Sequence, residues 1–157
     1  MKLTQKHIDK IICRVTGITM VQLHSDSQKR PITDARNLAM LKGKEYLKLS
    51  SLKLMKYYNK DSHTTILGDL KSAKNLIETN KRAHARAEQV DEFIRKKISY
   101  LKILQKQKNM HYRIRRKGIK VNSKAKTISI PPDRVPELKR SMGIIKDLGY
   151  VIQYSII

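Results

Sequence analysis

Cysteine is nearly missing from this 157-residue chain. Cys13 stands alone, which excludes an internal disulfide, leaves a zinc ribbon without ligands and suits a reducing compartment. Tryptophan is absent and phenylalanine occurs once. With seven tyrosines the aromatics still make up only 5% of the chain, few for a protein that lays single-stranded bases on aromatic platforms. No apolar run approaches the roughly 20 residues that cross a bilayer, and Met1 to Lys6 lack the apolar core of a signal peptide. No membrane association is expected. Acidic residues are scarce too. Glu45, Glu78, Glu88, Asp91, Glu92 and Glu137 form no local pair of the kind that holds a nuclease metal. The five histidines, His7, His24, His63, His84 and His111, build no HExxH, and no GxxxxGK[ST] phosphate loop occurs. Neither catalysis nor a metal, a cofactor or ATP is expected.

What the chain has is positive charge. Lys and Arg number 35 against 13 Asp and Glu, a net charge of +22 and a pI near 10.3. Such a surplus cannot be paired internally, and the anions large enough to meet it are nucleic acids and acidic membranes.

Periodicity divides the chain into two segments joined by a third. Ile8, Ile11, Ile12 and Val15 share one helical face that also takes in Cys13 as a small packing residue, and Gly17 ends the helix. Thr19 can cap a short helix from Met20 to His24. A polar loop from Ser25 to Arg30 leads to Pro31, which is suited to a helix start. The helix over 32–48 buries Leu38, Leu41 and Tyr46, admits close neighbours at Ala35 and Ala39, and turns Arg36, Lys42, Lys44 and Lys48 outward. Gly43 is costly there and implies a tight approach by something. A short helix over 52–58, a turn at Asn59-Lys60-Asp61 and a longer helix over 63–80, capped by Ser62, make a helix-turn-helix. Ile66, Leu70, Ala73 and Ile77 are its inward stripe. Tyr58 reads as core and Tyr57 as a candidate phosphate donor. An amphipathic helix is predicted over 81–109, with Val90, Phe93, Ile94, Ile98, Leu101 and Leu104. Strands are predicted over 111–116 and 126–130, a helix over 135–148 stopped by Gly149, and a last strand over 150–157. The expected organisation is a mainly α domain at 1–80, a linker helix at 81–109 and a small α+β (ββαβ) module at 110–157.

Three segments carry a resemblance. Ile12-Cys13-Arg14-Val15-Thr16-Gly17-Ile18, Ala35-Arg36-Asn37-Leu38-Ala39-Met40 and Ser62-His63-Thr64-Thr65-Ile66 resemble, in order and spacing, the C-terminal DNA-binding domain of the bacterial replication initiator DnaA. The interval from Arg36 to His63 fits without a gap. The resemblance covers about half the chain and implies a TrpR-like helix-turn-helix, free-standing and without the AAA+ module. It implies that the loop before the third helix reaches a minor groove, here with Lys29 and Arg30, since Gln28 stands at the family's key arginine. It also implies phosphate contacts at Arg36, Asn37, Lys44 and Ser51; Lys60 and Lys71 join them on charge and placement. Two departures stand out. Asn59-Lys60 replaces a Gly-Gly turn, and Asp61-Ser62 replaces Arg-Asp, which removes a cation and adds an acid. The family's recognition sequence is therefore not carried over.

The residues support the base-reading role on their own chemistry. His63, Thr64 and Thr65 fall on the first turn of the helix that enters a major groove. Threonine offers a hydroxyl to base edges and a methyl to thymine, and neutral histidine donates or accepts. The expected function is binding of double-stranded DNA, sequence-specifically, at a replication origin or regulatory site. Two alternatives stay open: a structural or packaging protein of phage or mobile-element type that binds without sequence choice, and an RNA-binding accessory. The module at 110–157 is either a self-contained fold or a surface for a second copy or a protein partner. The expected location is the cytoplasm, on the nucleoid, or a virion if the chain is phage-encoded.

Overall fold

The computed structural model describes residues 2–115, 119–130 and 132–154. They form two compact units, Lys2–Ser99 and the residues from Tyr100 onward, with the boundary inside one long helix.

The first unit is all helix: α1 (Gln5–Thr16), α2 (Met20–Leu23), α3 (Arg30–Leu47), α4 (Ser51–Tyr57), α5 (His63–Thr79) and the first half of α6 (Lys81–Arg115). Local chemistry sets the ends. Gly17 adopts a left-handed φ of 75° and its N–H closes on the Cys13 carbonyl, ending α1. Thr19 and Gln22 exchange side-chain-to-backbone hydrogen bonds at 3.2 and 3.0 Å, a capping box that starts α2. Pro31 lies in the first turn of α3. Asn59 takes φ of 51° in the turn between α4 and α5, a conformation Asn tolerates. Asn80 separates α5 from α6, its Oδ1 accepting from the N–H groups of Arg82 and Ala83. The core draws Ile8 and Ile12 from α1, Leu38, Ala39, Met40 and Leu41 from α3, Leu54 from α4, Ile66, Leu70 and Ala73 from α5, and Ala87, Val90 and Ile94 from α6.

Several polar side chains join that core. Asp9 is fully buried and its carboxylate gathers Gln5 Nε2, the Tyr57 and Tyr58 hydroxyls and His24 Nε2 within 2.6–3.0 Å. Burial pushes the Tyr58 phenol far up, and the facing Asp9 adds to it, so Tyr58 stays a donor. Lys42, expected on the outward side of α3, is instead buried against α6. Its ammonium meets Asp91 at 2.9 Å and Glu45 at 3.0 Å, and Tyr46 also donates to Asp91. Burial opposes the charge on Lys42, but the two carboxylates outweigh it and its pKa is raised.

The second unit contains the end of α6, β1 (Lys120–Asn122), β2 (Thr127–Ile130), a 3-10 helix (Pro132–Ser141), α7 (Met142–Asp147) and β3 (Val151–Tyr154). The sheet order is β1-β2-β3, with β1 antiparallel and β3 parallel to β2. The ββαβ order is therefore present, but its first strand is not where the sequence put it. Residues 111–115 extend α6, and Arg116 lies outside the described residues. Met110 and Ile114, one turn apart, both bury against the sheet, a helical spacing that the two-residue alternation of Tyr112 and Ile114 also fitted. The helix expected over 135–148 splits into a 3-10 segment holding Pro136 and the short α7. Proline supplies no N–H to an α-helical ladder. Gly149 ends α7 at φ of 68°, and residues 155–157 of the expected last strand lie outside the described ones. Among the described residues no helix is long and apolar enough to cross a membrane.

Candidate nucleic-acid interface

The interface is assembled by α4, the turn after it and α5. Tyr58 caps α4 through its N–H on the Leu54 carbonyl, and the Lys60 N–H returns to the Met55 carbonyl at 2.9 Å. The chain is thereby aimed into α5. Ser62 caps that helix, its Oγ accepting from the Thr64 N–H at 3.2 Å and lying 2.6 Å from the Thr64 hydroxyl. Behind the first turn, Ile66 is buried; in front of it, His63, Thr64 and Thr65 are all exposed. Side chains on an uncovered helix start, backed by a helix dipole, suit base edges and phosphates.

Around this turn the basic residues behave differently from one another. Lys29 and Arg30, at the start of α3, are exposed, as are Lys44 and Lys71; Ser51 and Lys60 are half-buried. Arg36 and Asn37 are not surface residues: they are 2% and 5% exposed. The Arg36 guanidinium donates from Nε to the Leu23 carbonyl at 2.9 Å and from Nη2 to the carbonyls of Ser25 and Ser27. Expected on a phosphate, the Arg36 guanidinium is taken up here by three backbone carbonyls. Its charge is spent inside, holding the loop that carries Lys29 and Arg30. Tyr57, the candidate phosphate donor, is likewise engaged within the protein. It is 40% exposed, but its hydroxyl donates to Asp9 at 2.9 Å rather than outward. Cys13 is half-buried against the core with its thiol 3.6 Å from Met20 Sδ, and burial, then Asp9, pushes its pKa up, as befits a packing residue.

A feature that sequence reading missed is a groove of about 510 Å³ between the start of α3 and the flank of α5. Its wall brings Arg30 and Asn37 together with Gln28, Thr33, Asp69 and Ser72. Asn37 Oδ1 and Thr33 Oγ1 are buried there with no hydrogen-bond partner among the described residues, so the groove floor has unused hydrogen-bonding capacity. Burial raises the Asp69 carboxyl, and the nearby charges of Lys60 and Arg36 oppose that rise. The only sequence signal was spacing: Asp69 and Ser72 lie three residues apart on one side of α5. Asp61, the acid expected near the interface, is exposed in the turn.

Residues 5–72 match the family described as bacterial DnaA protein helix-turn-helix. The chain is similar to the chromosomal replication initiator protein DnaA of Bacteroides thetaiotaomicron, 28% identical over 88 residues, which are 56% of this chain and 19% of that protein. It is 26% identical over 90 residues to the initiator of Bacteroides fragilis, covering 57% of this chain and 19% of that one. The initiator of a Synechococcus species is 35% identical over 66 residues, 42% of this chain and 14% of its own length. The chain thus spans less than a fifth of each relative. The likeness is thus to the bacterial DnaA helix-turn-helix family, and it extends over residues 5–72, less than half of the chain.

Proposed function

We propose that the chain is a sequence-specific binder of double-stranded DNA, of the kind that marks a replication origin or a regulatory site, and that it acts without catalysis. The observation that carries this is the exposed first turn of α5, where His63, Thr64 and Thr65 project together from a helix start held by Ser62. In this mechanism α5 enters the major groove and the three side chains read base edges. Lys29 and Arg30 reach the neighbouring minor groove. Lys44, Ser51, Lys60 and Lys71 hold phosphates, supplying most of the affinity and most of its salt dependence. The groove wall at Asn37 and Thr33 supports a further polar contact there. The chain acts where duplex DNA is, in the cytoplasm.

The test is selection of a preferred duplex from a random pool, followed by titration of that duplex and a scrambled one with the wild-type chain and Thr65→Ala. The expected result is a loss of about 1–3 kcal/mol on the selected duplex and little change on the scrambled one. Equal losses on both, or no enriched sequence at all, would leave a binder that uses charge alone, as a packaging protein does.

A further inference from the structure

Residues 100–157 lie outside the matched segment, yet they hold 14 Lys and Arg against three Asp and Glu, half of the whole surplus of 22. The sheet of this unit has one face covered and one open. Val121, Ile128, Ile130 and Ile152 point to the core under α6, the 3-10 helix and α7. The open face follows from alternation and register: Lys120, Ser129 and Gln153 form one cross-strand row, and Asn122, Thr127 and Val151 the next. No acid is among these six residues. The turn from β1 to β2 adds Lys124 and Lys126, both exposed. That turn is fixed. Asn122 Oδ1 accepts from the N–H groups of Lys124 and Ala125 at 3.1 Å each, and the Lys126 carbonyl accepts from Val151 at 2.9 Å. Lys120, Lys124 and Lys126 have no carboxylate partner among the described residues.

We propose that this open sheet face and its cationic turn form a second surface for duplex DNA, with Lys120, Lys124 and Lys126 on phosphates and the hydroxyl and amide groups of the two rows beside them. The proposal rests on the first unit being a duplex binder, since covalent linkage to that unit is what supplies DNA at high effective concentration. The chemistry of the face favours a duplex over other polyanions. It has no aromatic ring for single-stranded bases to stack on. Val151 is its one apolar side chain, too little to enter a lipid interface. The antiparallel β1–β2 pair and its turn, by contrast, form a two-stranded ribbon at the sheet's edge, of the width a major groove admits.

The experiment uses the full chain carrying Lys120→Gln, Lys124→Gln and Lys126→Gln together, titrated with the selected and the scrambled duplex between about 50 and 200 mM salt. The slope of log affinity against log salt is expected to become shallower by about 2–3 on both duplexes, with about tenfold or greater loss at low salt. Site preference stays as in the wild type. Thr65→Ala gives the opposite pattern, a lost preference with an unchanged slope, so the two surfaces fail distinguishably. If the triple variant does not fold, Lys126→Asn removes one charge while tolerating the φ of 50° at that position, and a slope change of about 1 is expected. An unchanged slope in a folded variant overturns the proposal. So does an equal loss from Lys102→Gln, Lys106→Gln and Lys108→Gln on α6, which would mean that charge anywhere suffices. A loss confined to duplex RNA or to phosphatidylglycerol vesicles overturns it as well.

Discussion

Arg36 illustrates how a cation within a matched motif can be engaged by the protein's own backbone. Its guanidinium presents several N–H groups in a rigid fork, and here three backbone carbonyls, one at the end of α2 and two in the loop after it, take them. Lysine offers a single ammonium on a flexible stem and cannot reach all three. Arg36→Lys is therefore expected to destabilise the free chain by about 2–3 kcal/mol, measured as a shift in urea midpoint at constant slope. It should also weaken DNA binding, because Lys29 and Arg30 ride on the loop it organises. A variant of wild-type stability that loses only DNA affinity would return Arg36 to the phosphates. Sequence alone could not separate these roles, because burial of a cation depends on acceptors 9 to 13 residues away.

At the scale of the element, α3 explains the glycine that propensity disfavours. A Cβ on Gly43 would collide with the side-chain oxygen of Gln5. That amide cannot simply swing aside: its Nε2 lies within 3.0 Å of Asp9, the Ala39 carbonyl and the Tyr58 hydroxyl. Gly43→Ala would gain up to about 1 kcal/mol in helix propensity, yet overpacking costs about 1–3 kcal/mol. The expected outcome is a net loss of stability, read by thermal or urea unfolding; a more stable variant would show that Gln5 repacks freely. The sequence announced a close approach at this position, but not which residue made it. It also erred at the end of α6, where a short apolar pattern fits a strand and a helix equally well and only packing of Met110 and Ile114 chooses.

For the whole molecule the governing quantity is a net charge of +22. Self-repulsion destabilises the compact free chain and is screened as salt rises, whereas affinity for DNA falls with salt. The two effects should be visible together. Between about 50 and 500 mM salt the melting temperature of the free chain is expected to rise, while the extra stabilisation given by excess duplex shrinks. Thermal melts with and without duplex check both signs. A free chain that melts lower in high salt would mean that ion pairs such as Lys42 with Asp91 outweigh the repulsion.

The sequence by itself determined the basic character, the helix order of the first unit, its caps and the helix start at His63, Thr64 and Thr65, because periodicity, capping and charge act locally. Tertiary structure decided which cations face inward, as at Arg36 and Lys42, which residues share the groove at Asn37 and Asp69, and that the strand before Asn122 begins only at Lys120. Those outcomes depend on acceptors and apolar neighbours contributed by distant segments, and no local pattern encodes them.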